Sequence, residues 1–196
     1  MTVLERPTLR TGKRQPGDRL ACLVTTAAEI FGRDGYARAQ IQEICRAAGV
    51  SIGTFYQHFE NKAELLTYLV QLAAEDIPAL SVTSRADFEK LIAEYVSSPR
   101  ISIWRAWREA VLSELALRPA AIRLREHCAG RLQRWVSEGR AARGILAPKV
   151  DDQTTAWIIF SALRELVADH GVTPPDRAPN VAGALWRLVF DNENGT

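Results

Sequence analysis

The sequence predicts an all-α protein, and three features carry that prediction. Apolar residues recur at three- and four-residue steps along most of the chain, the spacing that gathers them on one face of a helix. No segment alternates apolar and polar residues as a half-buried strand would, and none repeats internally. Pro99, Pro119, a Gly144–Pro148 turn and a GVTPPDRAP loop separate the later periodic stretches, as breakers do between helices.

Taken in order, residues 1–16 are expected to be a flexible basic arm: Arg6, Arg10, Lys13 and Arg14 stand against one acid, Glu5, and Pro7, Gly12 and Pro16 interrupt any periodicity. From Asp18, a potential N-cap, Leu20, Leu23, Ala27, Ile30 and Phe31 define a first helix that Gly35 stops. Ile41, Ile44 and Ala48 suggest a short second helix closed by Gly49. Ser51 caps a short third on which Phe55 and Phe59 share a face. Asn61 and Glu64, at capping-box spacing, open a fourth helix through Leu65, Leu66, Leu69, Val70 and Ala73. Further helices are predicted over 85–97, 101–117, 120–143, 152–170 and 179–190.

Composition narrows the class. A chain of 196 residues, 47% hydrophobic and 24% charged, can bury a sizeable core and is neither disordered nor collagen-like. Apolar runs such as Ala156–Phe160 are far shorter than the ~20 residues a bilayer requires, and the N-terminus has no signal-peptide core, so a cytoplasmic location without membrane contact is expected. Cys22, Cys45 and Cys128 are far apart and lack CxxC spacing, which points to neither a disulfide framework nor a metal site. The formal net charge of +2 lies entirely in residues 1–66, with nine basic and seven acidic side chains, while residues 67–196 hold sixteen of each. Any attraction to phosphate is therefore local.

Residues 41–59, IQEICRAAGVSIGTFYQHF, place two short helices around a tight glycine turn. In such a helix-turn-helix the second helix enters the DNA major groove and the first braces it. Gly49 supplies the turn's positive φ and Cys45 is small enough for the helices to touch. Val50, Phe55 and Phe59 are expected to bury against Phe31 and Ile44, leaving Ser51, Gly53, Thr54, Tyr56, Gln57 and His58 outward. Glutamine can grip adenine N6 and N7.

The segment Leu23–Leu66, with Ala27, Phe31, Gly35-Tyr36, Ile44, AAGVSIGTFYQHF, Lys62 and Leu65-Leu66, resembles the DNA-binding domain of TetR-family transcriptional regulators. The resemblance implies a helix-turn-helix domain over 17–77, its motif at about 40–59, and a C-terminal effector-binding and dimerisation domain over 78–196. It implies phosphate contacts from Tyr56 and Lys62 and base contacts from Thr54, Gln57 and His58, with Gly53 allowing close approach and Ser51 meeting a phosphate. The pattern departs at Ala39-Gln40, where the family has threonine or serine; Gln40 keeps a donor.

The histidines offer no catalytic set. His58 lies in the third helix, His127 and its neighbour Cys128 point about 100° apart, and His170 precedes a helix-ending glycine. Cys128 reads as a small core residue, with redox sensing as the alternative. Trp104 and Trp107 share a helix face beside Arg108. With Phe160 they line an effector pocket if the resemblance holds, or simply pack a core. The segments 156–167 and 181–190 are apolar on more than one face, so a second copy of the chain is expected to cover Phe160, Leu163, Val167, Leu185, Trp186 and Val189. The sequence thus reads as a regulator rather than an enzyme: a homodimeric repressor on a near-palindromic double-stranded DNA operator, released by a small-molecule effector and using no cofactor or metal. The competing readings are an activator or ligand-independent regulator and, more remotely, a helical enzyme or adaptor.

Overall fold

A computed structural model of the chain describes residues 16–75, 84–97, 101–145, 148–168 and 177–191. The basic arm, apart from its last residue, and His170 lie outside them. The described residues contain helices and no strand: α1 (Pro16–Arg38), α2 (Ile41–Ala47), α3 (Ile52–His58), α4 (Lys62–Glu75), α5 (Arg85–Ser97), α6 (Ser102–Ser113), a 3-10 turn (Leu115–Leu117), α7 (Arg118–Ala142), α8 (Asp152–Ala168) and α9 (Arg177–Phe190). The chain divides into two compact units, residues 1–76 with 99–124 and residues 77–98 with 125–196.

The ends of these helices follow from capping chemistry. Pro16 opens α1, ahead of Asp18, because proline lacks only an N–H that the first turn leaves unpaired. Asn61 Oδ1 accepts from the Glu64 N–H at 2.9 Å, while the Glu64 carboxylate reaches back to the Glu60 N–H at 2.5 Å. Ser84 caps α5 through the Asp87 N–H (3.1 Å) and Asp151 caps α8 through the Thr154 N–H (2.8 Å). The bond to Thr154 holds the Asp151 carboxyl below the usual carboxylate range. The helix predicted over 101–117 stops at Ser113, because Glu114 turns extended (φ −121°, ψ 104°) and a separate 3-10 turn follows. Pro119 sits in the first turn of α7 rather than before it.

In the first unit α1 lies against α2, α4 and α6. Leu23, Ala27 and Phe31 of α1, Ile44 of α2, Phe55 of α3, Leu65, Leu66 and Val70 of α4, and Ala106 and Ala110 of α6 are all sealed from solvent. Burying each phenylalanine contributes roughly 1.5–3 kcal/mol. In the second unit α9 packs mainly on α5 and also on α8. Its core holds Phe88, Trp135, Ile159, Leu185, Trp186, Val189 and Phe190.

Candidate nucleic-acid interface

The turn between α2 and α3 is set by backbone hydrogen bonds. The Val50 N–H donates to the Cys45 carbonyl (3.0 Å) and the Gly49 N–H to the Arg46 carbonyl (3.3 Å), the paired closure that ends a helix on a left-handed residue. Gly49 is that residue, at φ 65°. α3 then restarts at Ser51, whose Oγ accepts from the Thr54 N–H at 3.0 Å and lies 2.9 Å from Thr54 Oγ1. Phe55 and Phe59 fasten α3 inward, their rings 5.8 Å apart, with Phe59 also against Tyr68 of α4. The two short helices are therefore held by caps and by two buried rings.

The outward face of α3 consists of Ile52, Gly53, Tyr56 and Gln57, all exposed. Ser51 and Gln40 are exposed beside it, and Gln40 sits at the N-cap of α2 without a capping bond from its side chain. Thr54 and His58 differ from expectation. Both are half-buried, because their positions turn toward the flank of α3 that meets the core, and the Thr54 hydroxyl is engaged by Ser51. Ile52 is the residue that sequence reasoning passes over, and 45% of its surface is open.

The entrance to this motif is gripped from two sides. Gly35 breaks α1 at φ 79°, and a Cβ there would lie 2.7 Å from Glu109 Oε2. The Glu109 carboxylate accepts from the next two backbone N–H groups, Tyr36 at 2.8 Å and Ala37 at 3.0 Å. Arg105 donates to the Gly32 carbonyl (2.9 Å), and the buried Tyr36 hydroxyl donates to Glu114. Burial, together with that acceptor, pushes the Tyr36 phenol well above its ordinary value. α6 and the turn after it thus hold the link between α1 and α2.

Residues 23–69 match the family model for bacterial regulatory proteins of the tetR family. The fatty acid metabolism regulator protein of Bacillus subtilis is 24% identical over 173 residues, 74% of this chain and 87% of that one. The HTH-type transcriptional activator FasR of Mycolicibacterium smegmatis is 39% identical over 69 residues, 35% of this chain, so the match spans about a third (32%) of FasR. Among solved structures, NalD of Pseudomonas aeruginosa, the secondary repressor of the MexAB-OprM multidrug efflux pump, is similar with a TM-score of 0.61 and 21% identity, covering 92% of this chain and 100% of that one. Residues 23–69 thus carry a DNA-binding segment of the tetR-family type. With relatives that are named transcriptional regulators, the chain is a DNA-binding transcriptional regulator.

Lys62, expected from the resemblance to meet a phosphate, faces inward instead. It is half-buried, and its ammonium donates inward to the carbonyls of Tyr36 (2.8 Å), Ala39 (3.1 Å) and Ala37 (3.5 Å) while lying 4.3 Å from the centre of the Tyr36 ring. Burial lowers its pKa, and the charges of Glu114 and Glu109 partly restore it. Its ammonium thus holds the carbonyls of the 36–39 link from α4, while Glu109 of α6 holds the N–H groups of Tyr36 and Ala37.

The residues expected at an effector pocket or dimer interface fall in both units. Trp104, Trp107 and Arg108 belong to α6 in the first; Trp107 is buried, Trp104 half-buried and Arg108 exposed. Phe160 belongs to α8 in the second, edge-on to Trp157 at 6.0 Å. Leu185, Trp186 and Val189 are expected from the sequence to lie under a partner copy, yet the chain itself buries them against α5 and α7, with Phe88 and Trp135 5.8 and 6.5 Å from the Trp186 ring. Leu163 and Phe160 are half-buried on the edge of the same core, and the Val167 side chain lies outside the described residues. Cys128 is buried and its thiol is pushed up to about 11, which leaves little thiolate at neutral pH. Among the described residues no cluster of histidine, cysteine or carboxylate could hold a metal ion, and no helix is long and apolar enough to cross a membrane.

Proposed function

We propose that the chain is a homodimeric repressor that reads a near-palindromic operator through α3 and is released by a small-molecule effector. The observation that carries this reading is the exposed face Ile52, Gly53, Tyr56, Gln57, mounted on a helix whose other face is pinned by Phe55 and Phe59. Gln57 takes the base-reading role, with Tyr56, Ser51 and Gln40 on the flanking phosphates. Two copies would present their α3 helices to successive major grooves, so the half-sites fall about 34–36 Å apart.

A second copy has an apolar surface to meet. Ile158 of α8 is 40% exposed, and Trp157, Phe160, Ala162 and Leu163 around it are only half-buried. That surface, rather than the already covered Leu185, Trp186 and Val189, supports dimerisation. The repressor title of NalD favours repression, and the name of FasR keeps activation as the second reading. Release requires an effector with different affinity for the DNA-bound and free conformations, so ligand and operator must weaken each other by the same factor.

The test is a mobility-shift titration of the full chain on the DNA upstream of its own gene at two salt concentrations. Steep loss of affinity with salt is expected. Gln57→Ala should relax sequence preference at one position per half-site, by about 1–3 kcal/mol of discrimination. Binding unaffected by salt would remove the reading.

A further inference from the structure

We infer that Ile52 reads a thymine methyl group in the operator, a contact that rests on the DNA-binding role of α3 proposed above. An isoleucine at the start of a reading helix is an odd choice for solvation alone. Two phenylalanines, Phe55 and Phe59, fill the inward face of α3, each at most 1% exposed, and Ile52, 45% exposed, stands outside the buried core. Instead it shares the outward face with Tyr56, one helical turn on and 53% exposed, so the two form a continuous apolar surface.

Gly53, beside them, leaves that surface flat: a Cβ there would meet only Ser51 Oγ, at 3.6 Å, so packing imposes no glycine. A flat apolar strip next to the amide of Gln57 has a specific counterpart in DNA. Along the major-groove edge the only apolar group is the C5 methyl of thymine, and aliphatic side chains distinguish thymine from cytosine by touching it. Ile52 supplies that aliphatic contact, and Gln57 supplies the hydrogen-bonding one. Both polar and apolar features of a base edge are then read from a single helix face, and Ile52 determines specificity without donating or accepting any hydrogen bond.

The experiment uses the full-length protein. Duplexes enriched by binding from a randomised pool define the half-site, and each thymine in it is then replaced by deoxyuridine, which keeps base pairing and removes only the methyl. For the unaltered protein one thymine per half-site should show a loss of about fourfold in affinity, the factor associated with burying a single methyl. Ile52→Ala should bind the thymine operator about fourfold more weakly, show no further loss on the uracil duplex, and keep the same salt slope. Ile52→Val, which retains a branched methyl, should preserve part of the discrimination and provides a second reading should the alanine variant fold poorly. An equal uracil penalty in the unaltered protein and in Ile52→Ala would overturn the assignment, since another group would then hold the methyl. So would the absence of any uracil-sensitive position. Failure to enrich any duplex would defeat the DNA-binding reading itself, and this inference with it.

Discussion

Two cations hold backbone carbonyls in two different regions of the chain, and they do it in different ways. Arg140, on α7 in the second unit, is 3% exposed. Its planar fork reaches Val189 O (2.9 Å) and Leu188 O (3.5 Å) in the last turn of α9, Val150 O (2.9 Å) just before α8, and Asp152 Oδ1 (2.6 Å) and Thr155 Oγ1 (3.2 Å) within α8. Lys62, in the first unit, is half-buried and holds three carbonyls of one short link. The arginine joins three helices through donors of fixed direction; the lysine places a point charge against a single stretch of chain. One cation therefore secures a unit's fold, whereas the other secures the entrance to the helix-turn-helix.

The contrast is tested most severely at Arg140. Removing one partner of a buried, multiply bonded charge leaves Asp152 and several carbonyls without their donor, and typically costs about 3–5 kcal/mol. Arg140→Met should lower the thermal unfolding midpoint by many degrees, with Arg140→Lys recovering only part of the loss because ammonium geometry cannot reproduce the fork. Calorimetry showing a destabilisation of less than about 1 kcal/mol in the methionine variant would mean that water replaces the guanidinium and that the cation is not what joins α7, α8 and α9.

Lys62→Met comes next in size. It keeps the aliphatic stem and removes the bonds from the ammonium, a loss of up to about 3 kcal/mol given the half-buried setting. Because the link at 36–39 would loosen, operator affinity should fall on all sequences alike. The salt slope separates two roles. If Lys62 neutralises a phosphate, its removal flattens the slope by about one unit, whereas a lysine that only positions the motif should leave the slope unchanged. We expect the unchanged slope, and titrations at several salt concentrations measure it directly.

The parts of this arrangement that can be read from sequence are those with local causes. Gly49 and Ser51 lie close in sequence to the groups they bond, and the rings of Phe55 and Phe59 sit at helical spacing, so the helix-turn-helix is legible. The grip of Glu109 on the Tyr36 N–H spans 73 residues, and no local pattern announces it. For the same reason nothing in the sequence signals that residues 99–124 pack with the N-terminal helices. Apolar periodicity identifies Leu185, Trp186 and Val189 as needing cover but cannot say whose, and α5 and α7 of the same chain provide it. Ile52 escapes a reading by pattern because an aliphatic residue on a short helix looks like core until its neighbours Phe55 and Phe59 are seen to fill the core without it.

The smallest expected effect concerns the other side of the link that Lys62 holds. Tyr36→Phe deletes the hydroxyl that donates to Glu114, and since Glu114 is only half-buried, water can solvate the carboxylate that is left, so the loss at neutral pH should be about 1.5 kcal/mol. Its pH dependence is the more telling quantity. The folded-state phenol is raised above the ordinary value near 10, so the stability it contributes is complete below about pH 10 and declines as pH rises through the folded value. Lys62 shifts in the opposite direction, with its folded pKa lowered, and makes stability rise with pH as its ammonium deprotonates. Both proteins contain Lys62, so its contribution largely cancels in the difference between them. Denaturant unfolding of the two proteins at a series of pH values from neutral upward should show the gap closing above about pH 10. Parallel curves throughout would show that the hydroxyl of Tyr36 gains nothing from Glu114, and that α6 holds the link through Glu109 alone.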